Sequence, residues 1–137
     1  MVSNLLQSEE VNVLVSGVSW AWPEALCYIF RPRGVNLLVA DNTSEFVNII
    51  ERRRIHTTIV DTDQKKSNAL TTIRIIRMHY PLLPCILLSS VMDQTMLSQA
   101  LELGVFSVID KPVKMGILLE QLNRLFKKRY NSDIFAE

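Results

Sequence analysis

Five short, mainly apolar segments recur along the chain and alternate with segments of mixed polarity. They span residues 11–15, 35–40, 55–61, 85–89 and 105–109, and they are rich in valine, isoleucine and leucine. Most of them lack a strict alternation of apolar and polar positions, which is typical of strands buried on both faces of a sheet. This pattern predicts five buried strands in a parallel sheet.

The intervening segments carry apolar residues at helical spacing. They predict helices at residues 20–30, 43–53, 69–80, 94–103 and 115–129. Asn42 and Glu45 resemble a capping box at the start of the second helix, and Pro81 and Gly104 suit the ends of the third and fourth. Because such crossovers are right-handed, the alternation predicts one doubly wound α/β domain over residues 11–129. Residues 1–10 and 130–137 are expected to be flexible termini.

Composition excludes several classes of protein. The 137 residues are 48% hydrophobic and carry a net charge of +1, so nothing suggests a general attraction to nucleic acid or to a membrane surface. No apolar run approaches the roughly 18 residues of a membrane span, and the first ten residues lack a signal-peptide pattern. Cys27 and Cys85 are interpreted as buried free thiols in a reducing compartment. We therefore expect a cytoplasmic protein without a membrane or a direct nucleic-acid partner.

Polar side chains stand where several of the predicted strands end. Ser16 and Gly17 follow the first strand, Asp61 ends the third, Ser89 ends the fourth, and Lys111 follows the fifth. Each residue alone has an ordinary explanation, such as an aspartate that caps a loop or a lysine at the surface. Because the carboxyl ends of parallel strands meet at one edge of the sheet, their combination predicts a small polar site there.

The sequence resembles the receiver domain of two-component response regulators over residues 11–128. The motifs that carry the resemblance are Ile59-Val60-Asp61, Leu87-Leu88-Ser89-Ser90, Gly104-Val105-Phe106 and Asp110-Lys111-Pro112. The resemblance implies a flavodoxin-like five-stranded sheet in the order 2-1-3-4-5 with five helices, and a cis bond before Pro112. It also implies that Asp61 accepts a phosphoryl group from a histidine kinase or phosphotransfer protein. Ser89 and Lys111 would then bind that group.

The sequence departs from the family pattern where the metal is normally held. Ser16 and Gly17 occupy the two positions at which family members usually carry the acids that bind Mg²⁺, although Asp63 could supply a replacement carboxylate. We therefore expect no firmly bound cofactor, at most weak Mg²⁺ binding at Asp61 and Asp63, and no catalytic residue. These changes predict an atypical receiver with impaired phosphorylation of Asp61.

Such a receiver would act mainly through protein–protein contacts. The family resemblance points to the face between Gln94 and Arg129, which would dock an output domain, a partner protein or a second copy of the chain. Two basic runs, at residues 52–54 and 127–129, are interpreted as solvated helix ends, with contacts to acidic partners as the alternative.

Three other functions compete with the atypical receiver. The first is an ordinary phosphoaccepting receiver switched by a histidine kinase. The second is a small hydrolase or transferase, which is disfavoured because no histidine stands at a strand end to serve Ser16 or Ser89 as a base. The third is a flavodoxin-like cofactor-binding domain, although a phosphate cradle rich in serine and threonine is missing after the first strand.

Overall fold

The described part of the chain forms a single parallel sheet of five strands with five α-helices and one short 3₁₀ helix, Arg31–Arg33. The structure is a computed structural model, and it describes residues 10–16, 23–61, 69–89 and 94–136, apart from the side chains at 23, 24 and 96. The elements in chain order are β1 (Val11–Ser16), α1 (Pro23–Phe30), β2 (Val35–Ala40), α2 (Thr43–Arg52), β3 (Thr57–Asp61), α3 (Ala69–His79), β4 (Cys85–Ser89), α4 (Gln94–Glu102), β5 (Ser107–Asp110) and α5 (Met115–Tyr130).

The strands lie in the order β2-β1-β3-β4-β5, and all neighbouring pairs are parallel. This arrangement confirms the predicted doubly wound fold. We call the side of the sheet where the strands end the carboxyl edge and the opposite side the amino edge. In the register, Asp61 lies opposite Leu88, and Ser89 lies opposite Asp110. The ends of the three adjacent strands β3, β4 and β5 therefore meet at the carboxyl edge.

Apolar side chains fill both faces of the sheet, as the continuous apolar strands predicted. On one face, alternate residues of β1 pack against α1 and α5, and on the other face Leu14 and Val60 pack with α2, α3 and α4. Adjacent residues of one buried strand thus belong to two different cores, because successive side chains point to opposite faces. This double burial explains why β1, β3 and β4 have no solvent-exposed face.

Several element boundaries differ from the predictions for identifiable reasons. The first helix was predicted from residue 20, whereas α1 begins at Pro23, which needs no hydrogen bond for its nitrogen in the first turn; residues 20–22 lie outside the described ranges. The fifth strand was predicted from Val105, but β5 begins at Ser107. Gly104 adopts a left-handed φ of 77°, and the Val105 N–H donates to the Ala100 carbonyl, so Val105 still belongs to the turn.

The end of the chain packs against the core, where the sequence predicted a flexible terminus from residue 130. Helix α5 continues through Tyr130, and Asn131 closes it in a left-handed conformation with φ 50°. The chain then turns back, and Phe135 is only 2% exposed. Its ring lies edge-on against Phe30 at 5.4 Å and against Phe126 at 4.9 Å, and this contact of three aromatic rings explains the ordered packing. At the other end, residues 1–9 of the predicted flexible terminus lie outside the described ranges.

Candidate functional site

Asp61 lies at the centre of the carboxyl edge. It is the last residue of β3, the middle strand of the sheet, and it is 1% exposed. The flanking strands β1 and β4 account for this burial, and β1 also contributes a hydrogen bond. The Asp61 backbone N–H donates to the Ser16 hydroxyl oxygen over 2.8 Å. The serine at the end of β1 therefore fixes the backbone that carries the buried carboxylate.

Lys111 provides the positive charge that faces this carboxylate. Its ammonium Nζ donates to both carboxylate oxygens of Asp61, at 3.0 Å to Oδ1 and 2.9 Å to Oδ2. The lysine side chain is 21% exposed, so it reaches the buried acid from the surface. The Lys111 backbone N–H donates to the Ser89 carbonyl over 2.9 Å, which continues the pairing of β5 with β4 past the end of β5. The fold thus holds an acid and an amine that are fifty residues apart in the sequence in direct contact.

Ser89 lies beside this ion pair on the neighbouring strand. It ends β4, is 4% exposed, and stands one residue beyond Leu88, which lies opposite Asp61. The peptide bond between Lys111 and Pro112 is cis, as the resemblance implied. The structure therefore brings four of the predicted site residues, Ser16 among them, to one edge, while the predicted positions Gly17 and Asp63 lie outside the described ranges.

Two of the described groups at this edge already accept hydrogen bonds, which bears on metal binding. Mg²⁺ is normally bound through one or two carboxylates together with water and phosphate oxygens. Here Asp61 offers one carboxylate, both of whose oxygens already accept from an ammonium, and Ser16 offers a neutral hydroxyl that accepts from a backbone N–H. Within the described ranges, no group of three or more histidine, cysteine, aspartate or glutamate residues lies together.

The hydrogen bond from Asp61 to Ser16 was not predicted. The sequence marked Ser16 as a residue that replaces a metal-binding acid, and no pattern indicated that its hydroxyl accepts from β3. The two residues are 45 positions apart, and only the pairing of β1 with β3 brings them together. Chemically, the edge offers a buried carboxylate in direct contact with an ammonium group, with serines at the ends of the two neighbouring strands.

A comparison with protein-family models decides the family. The response regulator receiver domain model matches residues 22–123, which is most of the chain. The chain belongs to the response regulator receiver domain family. Receiver domains are in general phosphoaccepting modules of two-component signalling, and the strand order of this structure is that of the family's flavodoxin-like fold.

Individual relatives agree with this assignment. Putative NtrX-like response regulators match the receiver, at 28% identity over 112 residues in Rickettsia bellii and 30% over 110 residues in Rickettsia typhi. These matches cover 77% and 76% of the chain, whereas the chain spans only 23% of the length of either relative. The matched region therefore corresponds to one module of those longer response regulators.

Solved structures show the same fold. A response regulator receiver protein from Pseudomonas putida superimposes with a TM-score of 0.75 at 27% identity, over 87% of this chain and 99% of that one. The signal receiver domain of an HD domain-containing protein from Pseudomonas fluorescens Pf-5 gives a TM-score of 0.81 at 18% identity, over 90% of this chain and all of that one. Within the described ranges, every helix of the receiver is too short or too polar to span a lipid bilayer.

The two cysteines of the receiver differ in burial. Both are free thiols, as predicted, but Cys27 on α1 is only partly buried, whereas Cys85 at the start of β4 is fully buried. Burial raises the pKa of the Cys85 thiol to about 11, because the thiolate would have to form away from water. Cys85 therefore behaves as a small apolar residue of the core.

Proposed function

We propose that this receiver is atypical, with slow Mg²⁺-dependent phosphorylation of Asp61, and that it signals mainly through protein–protein contacts. One observation carries the proposal. The strand that in this family usually ends in metal-binding acids ends here in Ser16, whose hydroxyl accepts the Asp61 backbone N–H. Since Gly17 follows it, the sequence offers no carboxylate at either position.

Charge explains why this substitution slows phosphoryl transfer. A carboxylate that attacks a phosphoryl group approaches a group that is already negative, so catalysis depends on positive charge placed around the transferring oxygens. Lys111 supplies one positive charge, and in this structure the Asp61 carboxylate neutralises it. The neighbouring hydroxyl groups of Ser16 and Ser89 add no charge.

The same groups would still hold a phosphoryl group once it had formed. A phosphoryl group adds nearly two negative charges and three strong acceptors. The Ser89 hydroxyl at the end of β4 and the Lys111 ammonium just after β5 would bind its oxygens. Binding of the phosphoryl group would pull the ends of β4 and β5 toward Asp61. This local movement would shift the surface of the domain from one conformation to another.

The proposed partners are a histidine kinase or phosphotransfer protein and an output domain or second copy of the chain. For the output contact, the face formed by α4, β5 and α5, from Gln94 to Arg129, is favoured by two large apolar side chains that stand out from it. Leu101 on α4 is 57% exposed, and Ile117 on α5 is 44% exposed. Family membership favours this receiver function over the hydrolytic and cofactor-binding alternatives.

The test is phosphorylation by acetyl phosphate in the presence and absence of Mg²⁺, followed by intact mass spectrometry. We expect little modification of the natural chain under conditions in which a Ser16→Asp/Gly17→Asp variant becomes modified. Restoring both acids should raise the rate by at least about 100-fold, because each well-placed charge in phosphoryl transfer is worth several kcal/mol of barrier.

Asp61→Asn controls in both backgrounds show whether any added mass resides on Asp61. Rapid, Mg²⁺-dependent modification of Asp61 in the natural chain would overturn the proposal and leave an ordinary phosphoaccepting receiver. Modification that remains slow in the Ser16→Asp/Gly17→Asp variant would also contradict it, because the missing acids would then not be the cause.

A further inference from the structure

The amino edge of the sheet contains a cavity that the receiver function does not use. It measures about 460 Å³ and lies between the end of α2, the turn that precedes β4 and the last turn of α5. Three arginines line it, namely Arg53, Arg54 and Arg129, together with Tyr80, Tyr130 and the highly exposed Leu82. Cavities that bind small molecules usually have volumes of about 300–1,000 Å³.

Positive charge is concentrated at this cavity although the whole chain is nearly neutral. Among the described residues, none that line the cavity is acidic. Arg54 and Arg129 both lie near enough to the Tyr130 phenol to influence its ionisation, and Arg129 also lies near the positive charge of Arg77. Like charges held this close repel one another, so the arrangement favours a bound anion.

One arginine lacks part of its expected hydrogen bonding. The Nε of Arg129 is buried and has no hydrogen-bond acceptor in the part of the chain that the structure describes. A buried donor without a partner is costly, and a guanidinium donor more so. An anion bound against the Arg129 guanidinium would bring several acceptor oxygens to this group.

The backbone around the cavity is held in place by hydrogen bonds. The Arg54 carbonyl accepts from the Asn12 side-chain amide over 2.8 Å, and the Tyr130 hydroxyl donates to the His56 carbonyl. Arg53 forms an exposed ion pair with Glu10 at 3.2 Å, which is weak enough to exchange for a ligand. The start of β3 and the end of α5 are thus fixed relative to each other, so the cavity exists before any ligand binds.

We propose that this cavity binds a phosphate monoester whose organic part is aromatic or apolar. Guanidinium groups match phosphate oxygens in paired hydrogen bonds, and a phosphate dianion suits a cluster of positive charges better than a monocarboxylate does. Tyr80, Tyr130 and Leu82 provide apolar surface for the organic part. The two basic runs of the sequence, at residues 52–54 and 127–129, therefore contribute side chains to one site.

This site is separate from Asp61. Arg54 precedes β3 and Asp61 ends it, and at about 3.3 Å per residue the two ends lie about 20 Å apart. Binding at one edge can therefore be distinguished from binding at the other by which backbone amides respond.

The experiment is a titration of the ¹⁵N-labelled chain with phenyl phosphate, followed by amide NMR at neutral pH and low ionic strength. We expect the largest shifts at Tyr80, Leu82 and Arg129, with small shifts at Asp61 and Lys111. Inorganic phosphate, which lacks the ring, and phenol, which lacks the charge, should each bind at least about tenfold more weakly, because each engages half of the site.

Variants of matched charge test the arginines. Arg54→Gln and Arg129→Gln should each weaken phenyl phosphate binding about tenfold, whereas Arg52→Gln, which removes the same charge from an exposed neighbour outside the cavity, should leave it unchanged. Arg129→Lys keeps the charge but loses the planar fork, so intermediate binding is expected. The amide spectrum of each variant without ligand shows whether it is folded.

Three results would overturn the proposal. The first is an absence of shifts at the cavity up to tens of millimolar phenyl phosphate. The second is a response confined to Asp61 and Lys111. The third is equal weakening by Arg52→Gln and Arg129→Gln, which would indicate general attraction to a basic surface.

Discussion

The two edges of the sheet differ in how their charged side chains are arranged. At the carboxyl edge, a buried carboxylate and an ammonium from different strands neutralise each other at 2.9 Å. At the amino edge, guanidinium groups from the ends of α2 and α5 converge without an acid among the described residues that line their cavity. The net charge of +1 does not show this separation, because it is a sum over all charged side chains, wherever they lie in the fold.

This difference distinguishes two kinds of polar site. A paired acid and amine neutralise each other, so a chemical event such as phosphorylation is needed to change the pairing. In a cluster of like charges, the repulsion between the groups is reduced when a ligand of opposite charge binds. We propose the first edge as the site of the receiver function, and the second edge contains the cavity lined by arginines. Four variants test how each edge is stabilised.

The largest effect is expected at the amino edge, from Phe135→Ala. Phe135 is fully enclosed between Phe30 and Phe126, so its removal leaves a cavity lined by aromatic rings. We expect the free energy of unfolding to fall by about 3 kcal/mol. Urea denaturation followed by circular dichroism measures this loss. Tyr28→Ala removes an aromatic ring that is 78% exposed and should change stability little; equal losses in the two variants would show that Phe135 is not part of the core.

At the carboxyl edge, Lys111→Met should lower the free energy of unfolding by about 2 kcal/mol, because it leaves the buried carboxylate of Asp61 without its cation. The loss is below that of a fully buried pair, since the Lys111 side chain is 21% exposed. Adding Asp61→Asn should restore most of the stability, because it removes the isolated charge. The same urea measurement on the single and double variants gives the coupling energy. Additive losses would show that the two side chains do not interact.

The amino edge should also lose stability at high pH. The folded-state pKa of Cys85 is raised to about 11 by burial, above the value of about 9 expected in the unfolded chain. Between these values the unfolded state has released the proton and the folded state keeps it, so stability is complete below pH 9 and falls by about 2 kcal/mol toward pH 11. Cys85→Ala should reduce this fall in urea titrations at pH 8 to 11, and the fall that remains above pH 10 belongs to Tyr130, whose pKa burial raises to about 12.

Cys27→Ala is the matched control for that experiment, because it removes the half-buried thiol and keeps Cys85. The free energy of unfolding of Cys27→Ala should fall with rising pH as much as that of the natural chain. A natural chain whose stability is independent of pH between 9 and 11, or a Cys85→Ala variant with an unchanged fall, would contradict the assignment to Cys85.

The smallest effect concerns the start of α2 at the carboxyl edge. The Asn42 side chain accepts the Glu45 backbone N–H over 2.8 Å and caps the helix, so Asn42→Ala should cost about 1 kcal/mol. Asn48→Ala makes the same replacement at an exposed position inside the same helix, where alanine is the better helix former. Thermal unfolding should separate the two variants, and equal melting temperatures would contradict the capping role of Asn42.

The sequence predicted the fold well because the relevant signals are local. Apolar runs, the caps at Asn42 and Gly104 and the stop at Pro81 each depend on a few neighbouring residues. The sheet order followed from the family resemblance, whereas the expectation that Asp61 and Lys111 share a site followed from their positions at the ends of predicted strands. The roles assigned to Asp61, Ser89 and Lys111 in phosphoryl binding stay predictions, and so do those of Gly17 and Asp63.

Other features of the molecule could not be predicted from the sequence, because they are contacts between residues that are far apart along the chain. The acceptor role of Ser16 toward Asp61 depends on the pairing of β1 with β3. The burial of Phe135 depends on the end of the chain returning to α1, and the predicted flexible end did not anticipate it. The basic runs at residues 52–54 and 127–129 were interpreted as separate helix ends, whereas α2 and α5 bring arginines from both to one cavity.

By itself, the sequence determined which segments form strands and helices and which strand ends carry polar groups. Hydrophobic periodicity and helix capping depend on residues that are close together in the sequence, so both can be recognised from the sequence alone. The tertiary structure alone decided which charged groups lie together, namely Lys111 against Asp61 at one edge and arginines from two helix ends at the other. Electrostatic interactions depend on distances between side chains, and the return of the chain across the sheet sets those distances.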